Sequence, residues 1–261
     1  MFKRTLMFTI LAVASATVLA ESKGQGNLCN ALPSHAQLQA ALDGSVFPTA
    51  GVSNGGLELH MWGTIVAKDG TVCAVAKTGD GLNDQWLGSR VISAQKANTA
   101  NAFSLDGALA LSTANLYSAV QPGGSLFGLQ ESNPVDTTVA YGGNSANFGA
   151  QADPMTGKKI GGVNVFGGGL ALYDAKGNML GAVGVSGDTS CADHNIAWRT
   201  RDALKLDYVP AGLTIGDNII FDIVGGVSTG GFGHPVCLSP ANDAAVNAAI
   251  VAAHPLGVIV P

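Results

Sequence analysis

Apolar residues near the centre of the chain form two runs that are separated by a short polar stretch. Residues 163–173 and 179–185 are rich in apolar and β-favouring side chains. Between them, Asp174, Gly177 and Asn178 are residue types that form tight turns. The pattern therefore predicts a β-hairpin.

A loop of small and polar residues follows this hairpin and leads into a helix. Ser190 and Asp193 have the spacing of a capping box, and the helix is expected to continue through Leu204. Backbone N–H groups and the positive end of a helix meet in such a loop, which suits an anionic ligand. The residues expected to bind that ligand are Ser186, Gly187, Asp188, Thr189, Ser190 and Asp193.

The N-terminal third of the chain predicts a helix followed by a second hairpin. A capping-box match begins the helix at Ser34, and residues 57–67 and 71–77 flank a Lys-Asp-Gly turn. The helix should pack back across this hairpin. Cys29, just before the helix, and Cys73, in the second strand, are then neighbours and are expected to form a disulfide.

A second helix is predicted after this hairpin, over residues 90–103. Apolar residues recur at helical spacing along it, and Arg90 and Lys96 are expected on its surface. A shorter helix is expected over residues 113–120.

The remaining segments are less regular. Residues 121–160 are dominated by glycine, asparagine, proline and serine and have no clear periodicity. Such a stretch is usually a functional lid or a packed surface loop. Residues 218–224 predict one more strand, and residues 239–253 predict a last helix with a proline near its start.

The first 20 residues have the pattern of a secretory signal peptide. Lys3 and Arg4 precede an apolar core over residues 6–13, and a small-residue cleavage pattern ends at Ala20. An uncleaved anchor helix is the alternative, although the apolar run is short for a membrane span. Export predicts a periplasmic or secreted protein with no stable membrane insertion after signal removal.

The charge of the chain excludes one class of partner. The full chain has 13 basic and 18 acidic residues. Loss of Lys3 and Arg4 with the signal peptide leaves 11 basic against 18 acidic residues, a net charge near −7. An acidic chain without a basic cluster is not expected to bind nucleic acid.

Four cysteines in an exported chain favour two disulfides. Since Cys29 and Cys73 are matched, Cys191 at the start of the helix after the loop is expected to pair with Cys237. The chain has no C-x-x-C motif, which argues against a zinc ribbon and a thioredoxin motif. It also has no C-x-x-C-H motif, which excludes covalent attachment of c-type haem.

Two histidines are candidate iron ligands. His194 lies one turn into the helix after the loop, and the second disulfide would bring His234 toward it. A neutral imidazole can bind haem iron or act as an acid–base group. The alternative for His194 is a hydrogen-bonding role near the helix start. His60 and Met61 are also haem-ligand types, but a half-buried strand with Met61 in the core explains them better.

Two enzyme motifs are incomplete. G-x-S-x-G matches occur at residues 51–55 and 226–230, but neither is followed by the helix that a hydrolase elbow requires. Lys158 and Lys159 follow a glycine without the first glycine of a P-loop. The sequence therefore supports neither a serine hydrolase nor a P-loop phosphate site.

Two groups of motifs carry a family resemblance. The first comprises residues 168–174 (GGLALYD) and 181–190 (GAVGVSGDTS), and the second comprises residues 68–70 (KDG) and 93–103. The order helix, hairpin, helix, loop, hairpin, helix also agrees, over about residues 34–205. In these features the chain resembles the GlcG/HbpS-like family of haem-binding (haem-degrading) proteins.

The resemblance implies an α+β fold, with a profilin-like antiparallel sheet flanked by helices, that commonly assembles into homo-oligomers. Residues 21–261 would then be a single domain with its core at about residues 34–205. A long glycine-rich insert over residues 104–160 and a C-terminal extension over residues 206–261 depart from the compact family pattern.

The resemblance also implies binding of haem or a related tetrapyrrole, and some relatives are credited with slow haem degradation. We expect an exported haem-binding protein in which His194 and His234 ligate iron and residues 186–190 contact the propionates. One alternative is an enzyme or accessory protein for a small hydroxy acid or other carboxylate, with Asp193 and His194 as acid–base groups. Another is a non-catalytic periplasmic assembly protein. Whether the protein is an enzyme is left open.

Overall fold

The computed structural model describes residues 27–260, so the signal peptide predicted over residues 1–20 lies outside the described part. The α-helices of this part are α1 (His35–Val46), α2 (Ser89–Ala102), α3 (Thr137–Ala140), α4 (Ser190–Ala203) and α5 (Pro240–Ala253). Its strands are β1 (Trp62–Ala67), β2 (Val72–Lys77), β3 (Gly169–Tyr173), β4 (Met179–Ser186), β5 (Ile223–Val224) and β6 (Val227–Ser228). Short 3-10 helices occur at Leu28–Ala31, Ser118–Val120 and Ser145–Asn147.

Strands β1 to β4 form one antiparallel sheet in the order β2-β1-β4-β3. Both predicted hairpins are confirmed, because β1 pairs with β2 and β3 pairs with β4. The hairpins join through their inner strands, with Trp62 of β1 opposite Ser186 of β4. β5 and β6 form a separate two-stranded hairpin. The α+β fold class, an antiparallel sheet flanked by helices, is therefore confirmed.

Helices cover both faces of the four-stranded sheet. On one face, Ile65 and Val183 belong to a core that includes side chains of α1, α4 and α5. On the other face, Val66 and Ala182 pack with alanines of α2, including Ala97. Because successive strand residues point to opposite faces, one sheet supports two cores.

Helix α2 approaches β4 so closely that a side chain at Gly184 would clash. A Cβ there would overlap the carbonyl oxygen of Ser93 and the amide nitrogen of Ala97, which are rigid backbone atoms. We expect Gly184→Ala to lower the free energy of unfolding by about 1–3 kcal/mol, measured by urea denaturation, because α2 must shift.

The matched control is Gly44→Ala in α1. Nothing lies within 4 Å of a Cβ at Gly44. Alanine is also the better helix former, so the control should be neutral or should stabilise by about 0.5–1 kcal/mol. An equal loss of stability in both variants would contradict the close packing of α2 on β4.

The first strand is shorter than predicted. Residues 57–60 run up to the sheet without joining it, the carbonyl oxygen of Met61 accepts the N–H of Thr78 at 2.9 Å, and β1 begins at Trp62. The carboxylate of Asp188 accepts the N–H groups of Leu57 at 2.8 Å and Leu59 at 3.2 Å, which removes them from a strand ladder. The predicted strand start at residue 57 is therefore wrong.

Two predicted elements outside the sheet also differ. Residues 113–120 form turns and one short 3-10 helix, so the predicted helix is wrong. The Asn115 side chain accepts the N–H of Ser112 at 3.0 Å, a local bond that competes with helix formation. It also donates to the carbonyl oxygen of Asn218 at 2.9 Å. Of residues 218–224, only Ile223 and Val224 form a strand. The backbone groups at the start of the segment bond instead to the side chains of Asn115 and His194.

Both predicted disulfides are present. Cys29–Cys73 joins the segment before α1 to β2, with Cα atoms 5.3 Å apart. Cys191–Cys237 joins the first turn of α4 to the segment before α5, with Cα atoms 6.1 Å apart. The second bridge holds the C-terminal segment against the junction of β4 and α4. Within residues 27–260, no helix has the length and apolar character to cross a membrane.

Candidate functional site

The loop between β4 and α4 uses its backbone N–H groups within the chain. The Asp193 carboxylate accepts the N–H of Gly187 at 3.1 Å and of Asp188 at 2.9 Å. The Asp188 carboxylate in turn accepts the N–H of Thr189 at 2.5 Å. The negative charge that a helix N-terminus favours is thus supplied by two side chains of this chain. Binding of an external anion by residues 186–190 stays a prediction.

The cap of α4 differs from the predicted capping box. Thr189 is the N-cap residue, and its side chain accepts the N–H of Ala192 at 3.3 Å. Asp193 turns back to the loop instead of bonding to Ser190. The Ser190 hydroxyl lies 3.4 Å from the sulfur of Cys237. The pairing of Ser190 with Asp193 is therefore wrong, although the helix begins where it was predicted.

A buried ion pair connects α2 to this junction. Lys96 Nζ lies 2.6 Å from Asp193 Oδ2 and donates to the carbonyl oxygen of Val185 at 3.1 Å. Burial raises the pKa of Asp193 to about 6, although Lys96 lowers it, and burial lowers the pKa of Lys96. Both shifts reflect the cost of holding charges away from water.

Two cationic side chains of α2 were predicted to lie on the surface of the helix, and this prediction is wrong. Lys96 is fully buried, and Arg90 is also buried, with Nε 2.9 Å from the carboxylate of Asp153. One signal in the sequence was the position of Lys96, four residues before Ala100 on the apolar stripe of the helix. No comparable pattern marks Asp153, which lies in the long irregular segment over residues 121–160.

His194 is fully buried, and only one of its two ring nitrogens lies within hydrogen-bond distance of other groups. Its Nε2 lies 3.1 Å from Asn218 Oδ1 and 3.1 Å from the backbone nitrogen of Ile219. Its Nδ1 has no partner among the described residues. Burial lowers the pKa of His194 to about 4, so the ring is neutral at pH 7. Iron ligation by His194 stays a prediction.

His234 is held by its own backbone segment. Its Nδ1–H donates to the carbonyl oxygen of Pro235 at 2.6 Å, and its Nε2 has no partner within the described residues. The residue is 1% exposed, and burial lowers its pKa to about 4. Its backbone N–H donates to the carbonyl oxygen of Ile220. The preceding residue, Ile219, contacts His194 through its backbone nitrogen. The structure therefore brings the two histidines to the same short segment.

An open groove lies beside His234 and is referred to as the Tyr117 groove. Its lining comes from the segments 117–125 and 223–235, without His234 itself, and its volume is about 930 Å³. Its lining residues are uncharged, and Tyr117 and Phe232 supply aromatic surface. The Tyr117 ring centroid lies 5.3 Å from that of His234. The volume is in the range of pockets that hold organic ligands.

A smaller cavity of about 320 Å³ has Asp188 of the β4–α4 loop in its lining. Glu58 and Asp188 are among its lining residues, with Phe47 and Ile196 as apolar neighbours. Two carboxylates disfavour an anionic ligand here. Together with the engaged N–H groups of the loop, this geometry offers no support for a hydroxy-acid site.

His60 and Met61, the other two residues of haem-ligand type, both make contacts within the fold. Met61 is fully buried in the core beneath α1 and α4. Nδ1 of His60 lies 2.9 Å from the Thr78 hydroxyl, and the His60 ring packs edge-on against Phe47 at 5.1 Å. The interpretation of Met61 as a core residue is therefore confirmed.

Several solved structures contain chains similar to this one, and two of them are described. PduOC, solved in complex with heme, is 24% identical with a TM-score of 0.44, covering 66% of this chain and 91% of that chain. Protein ORFY of Klebsiella pneumoniae is 22% identical with a TM-score of 0.42, covering 77% of this chain and 97% of that chain. Neither likeness locates a ligand on this chain.

Comparison with curated proteins gives no significant match. The family described as "Haem degrading protein HbpS-like" matches residues 57–201, which is more than half of the chain. The matched range contains both hairpins, α2, the β4–α4 loop and most of α4. The chain therefore belongs to the HbpS-like family.

Proposed function

We propose that the protein is an exported haem-binding protein and that haem occupies the Tyr117 groove with His234 as an iron ligand. Haem binding is supported at the level of the family. The observation that carries the choice of site is the buried Nε2 of His234, which has no partner among the described residues. The His234 ring packs against Tyr117, and Tyr117 lines a wide uncharged groove. Export is supported by the pattern of residues 1–20 and by the two disulfides.

The hydrogen bond at the other nitrogen of His234 suits a metal ligand. Metal-binding histidines usually donate the second ring N–H to a carbonyl or carboxylate, which fixes the ring and its tautomer. The Nδ1–H bond to Pro235 does this and leaves the Nε2 lone pair free. The lowered pKa keeps the imidazole neutral, which is the form that binds iron. A buried nitrogen without a partner costs about 1–3 kcal/mol, and coordination would remove that cost.

Tyr117 controls the approach to His234. It lines the groove and contacts the imidazole, and it is only half-buried. Rotation of its side chain would open the imidazole to a ligand in the groove. The apolar and aromatic lining suits the faces of a porphyrin, and the propionates would extend into solvent at the open side. Contact of the propionates with residues 186–190 would require breaking bonds to Asp188 and Asp193.

Hemin titration of the oxidised protein tests the proposal. We expect a saturable shift of the Soret band with one hemin per chain. His234→Gln should weaken hemin binding at least tenfold, because the iron would lose the imidazole that is proposed to hold it. His60→Gln is the matched control and should bind like the wild type, since His60 lies away from the groove lining.

Two outcomes would contradict the proposal. The absence of a saturable shift would remove haem binding and favour the assembly role. Equal affinities of His234→Gln and the wild type would remove the proposed ligand. Loss of the Soret band in the presence of a reductant and air would test the haem degradation named in the family description, and light scattering would test the expected homo-oligomer.

A further inference from the structure

Three side chains with metal-binding atoms lie together at the second disulfide. The sulfur atoms of Cys191 and Cys237 and a ring nitrogen of His234 all lie within 4.8 Å of one another. His234 is 1% exposed, and its Nε2 has no hydrogen-bond partner among residues 27–260. Two thiolates and one imidazole form a known ligand set of zinc. In the oxidised protein the two sulfurs are bonded to each other, so the set is incomplete.

We propose that reduction of the Cys191–Cys237 disulfide creates a Zn²⁺ site from both thiolates and His234, with water as the fourth ligand. A dithiol reductant supplies two electrons and two protons, the S–S bond breaks, and the reductant closes its own disulfide. Each cysteine thiol then releases its proton to solvent as it binds zinc. The metal keeps its charge, so the binding step itself involves no oxidation or reduction.

Three nearby groups favour negative charge on the two sulfurs, although the carbonyl oxygen of Pro235 lies 3.7 Å from the sulfur of Cys191. Cys191 lies in the first turn of α4, where the helix N-terminus stabilises a thiolate. The backbone N–H of Cys191 points at the sulfur of Cys237 at 3.1 Å. The Ser190 hydroxyl lies 3.4 Å from the same sulfur. These donors would remain available to a thiolate after reduction.

The site needs little rearrangement. Zinc–sulfur bonds are about 2.3 Å long, so two sulfurs of a tetrahedral site stand about 3.8 Å apart. This separation fits within the present cluster. Cys237 lies outside the helices, between Val236 and Leu238, which are 40% and 52% exposed. Its segment can therefore move apart from Cys191 without shifting α4, and it gives a reductant access to the bridge.

Metal titration of the full mature chain, without haem, tests the inference. After treatment with dithiothreitol and anaerobic desalting, we expect one Zn²⁺ per chain, bound at least tenfold more tightly than by the oxidised protein. Co²⁺ in place of Zn²⁺ should produce a sulfur-to-cobalt charge-transfer band. Cys191→Ser/Cys237→Ser should lose the site, and the matched variant Cys29→Ser/Cys73→Ser should keep it. His234→Gln should weaken binding at least tenfold.

Equal affinity of the reduced and oxidised proteins, or full affinity in Cys191→Ser/Cys237→Ser, would overturn the inference. Alkylation of the reduced wild type provides a test that needs no variant. Zn²⁺ should slow labelling of Cys191 and Cys237 at least tenfold and leave Cys29 and Cys73 unprotected, whereas uniform labelling would also overturn it. Because hemin is titrated into the oxidised protein, failure of either proposal is distinguishable from failure of the other.

Discussion

Replacement of Asp193 by alanine is expected to lower the free energy of unfolding by about 3–5 kcal/mol. The carboxylate is buried 2.6 Å from Lys96 Nζ and accepts two backbone N–H groups, from Gly187 and Asp188. Without it, a buried ammonium loses its counter-charge and two buried donors lose their acceptor. The pair also links α2 to the β4–α4 loop, so the loss should reach both sides of the sheet. Urea denaturation at pH 7 measures the change.

The matched control is Lys159→Ala. Lys159 forms an ion pair with Asp69, but the two side chains are 59% and 38% exposed, so the change should stay within about 1 kcal/mol. Lys96→Met/Asp193→Leu should recover much of the lost stability, because neither charge is left buried. A loss below about 1 kcal/mol in Asp193→Ala would contradict the importance assigned to the buried pair.

A decrease in pH from 6.5 to 4 is expected to destabilise the folded protein by about 3 kcal/mol. Burial lowers the pKa of His194 and of His234 from 6.5 to about 4. Between these values the unfolded chain binds more protons than the folded chain, so stability falls as the pH falls. Each histidine contributes a loss of about 3 kcal/mol.

Asp193 contributes with the opposite sign. Burial raises its pKa from 3.8 to about 6, so the folded chain binds the extra proton and gains stability as the pH falls through this range. This gain is about 3 kcal/mol and offsets roughly one histidine. The net loss from these three groups is therefore close to that of a single buried imidazole.

Urea denaturation at pH 6.5, 5 and 4 measures this dependence. His194→Gln removes one of the two titrating imidazoles, so its stability should be nearly level over the range. A wild-type stability that stays constant between pH 6.5 and 4 would contradict the exclusion of protonated histidine from the interior.

Local patterns predicted the central sheet well. The runs around Asp174 and around Lys68-Asp69-Gly70 form hairpins, because alternation and turn residues act over a few neighbouring positions. Residues 113–120 did not follow their local pattern. The Asn115 side chain there bonds to Asn218, more than a hundred residues away, and no local pattern reports such a contact.

The sequence located parts of the site but missed the contacts that organise it. Cys191 and Cys237 are paired as predicted, and their bridge holds the segment that carries His234. The burial of Lys96 beside Asp193 depends on the packing of α2 across β4, which is a property of the folded sheet. Tyr117 could not be identified as a site residue from the sequence, because the groove that it lines also needs residues from the segment 223–235, about a hundred positions away.

Anomalous diffraction from crystals of the hemin complex, recorded at the iron absorption edge, tests the haem proposal most directly. We expect one iron peak within bonding distance of His234 Nε2, with the porphyrin in the Tyr117 groove and the Tyr117 ring rotated away from the imidazole. An iron peak beside His194 with His234 still covered, or in the cavity next to Glu58, would contradict the proposed site.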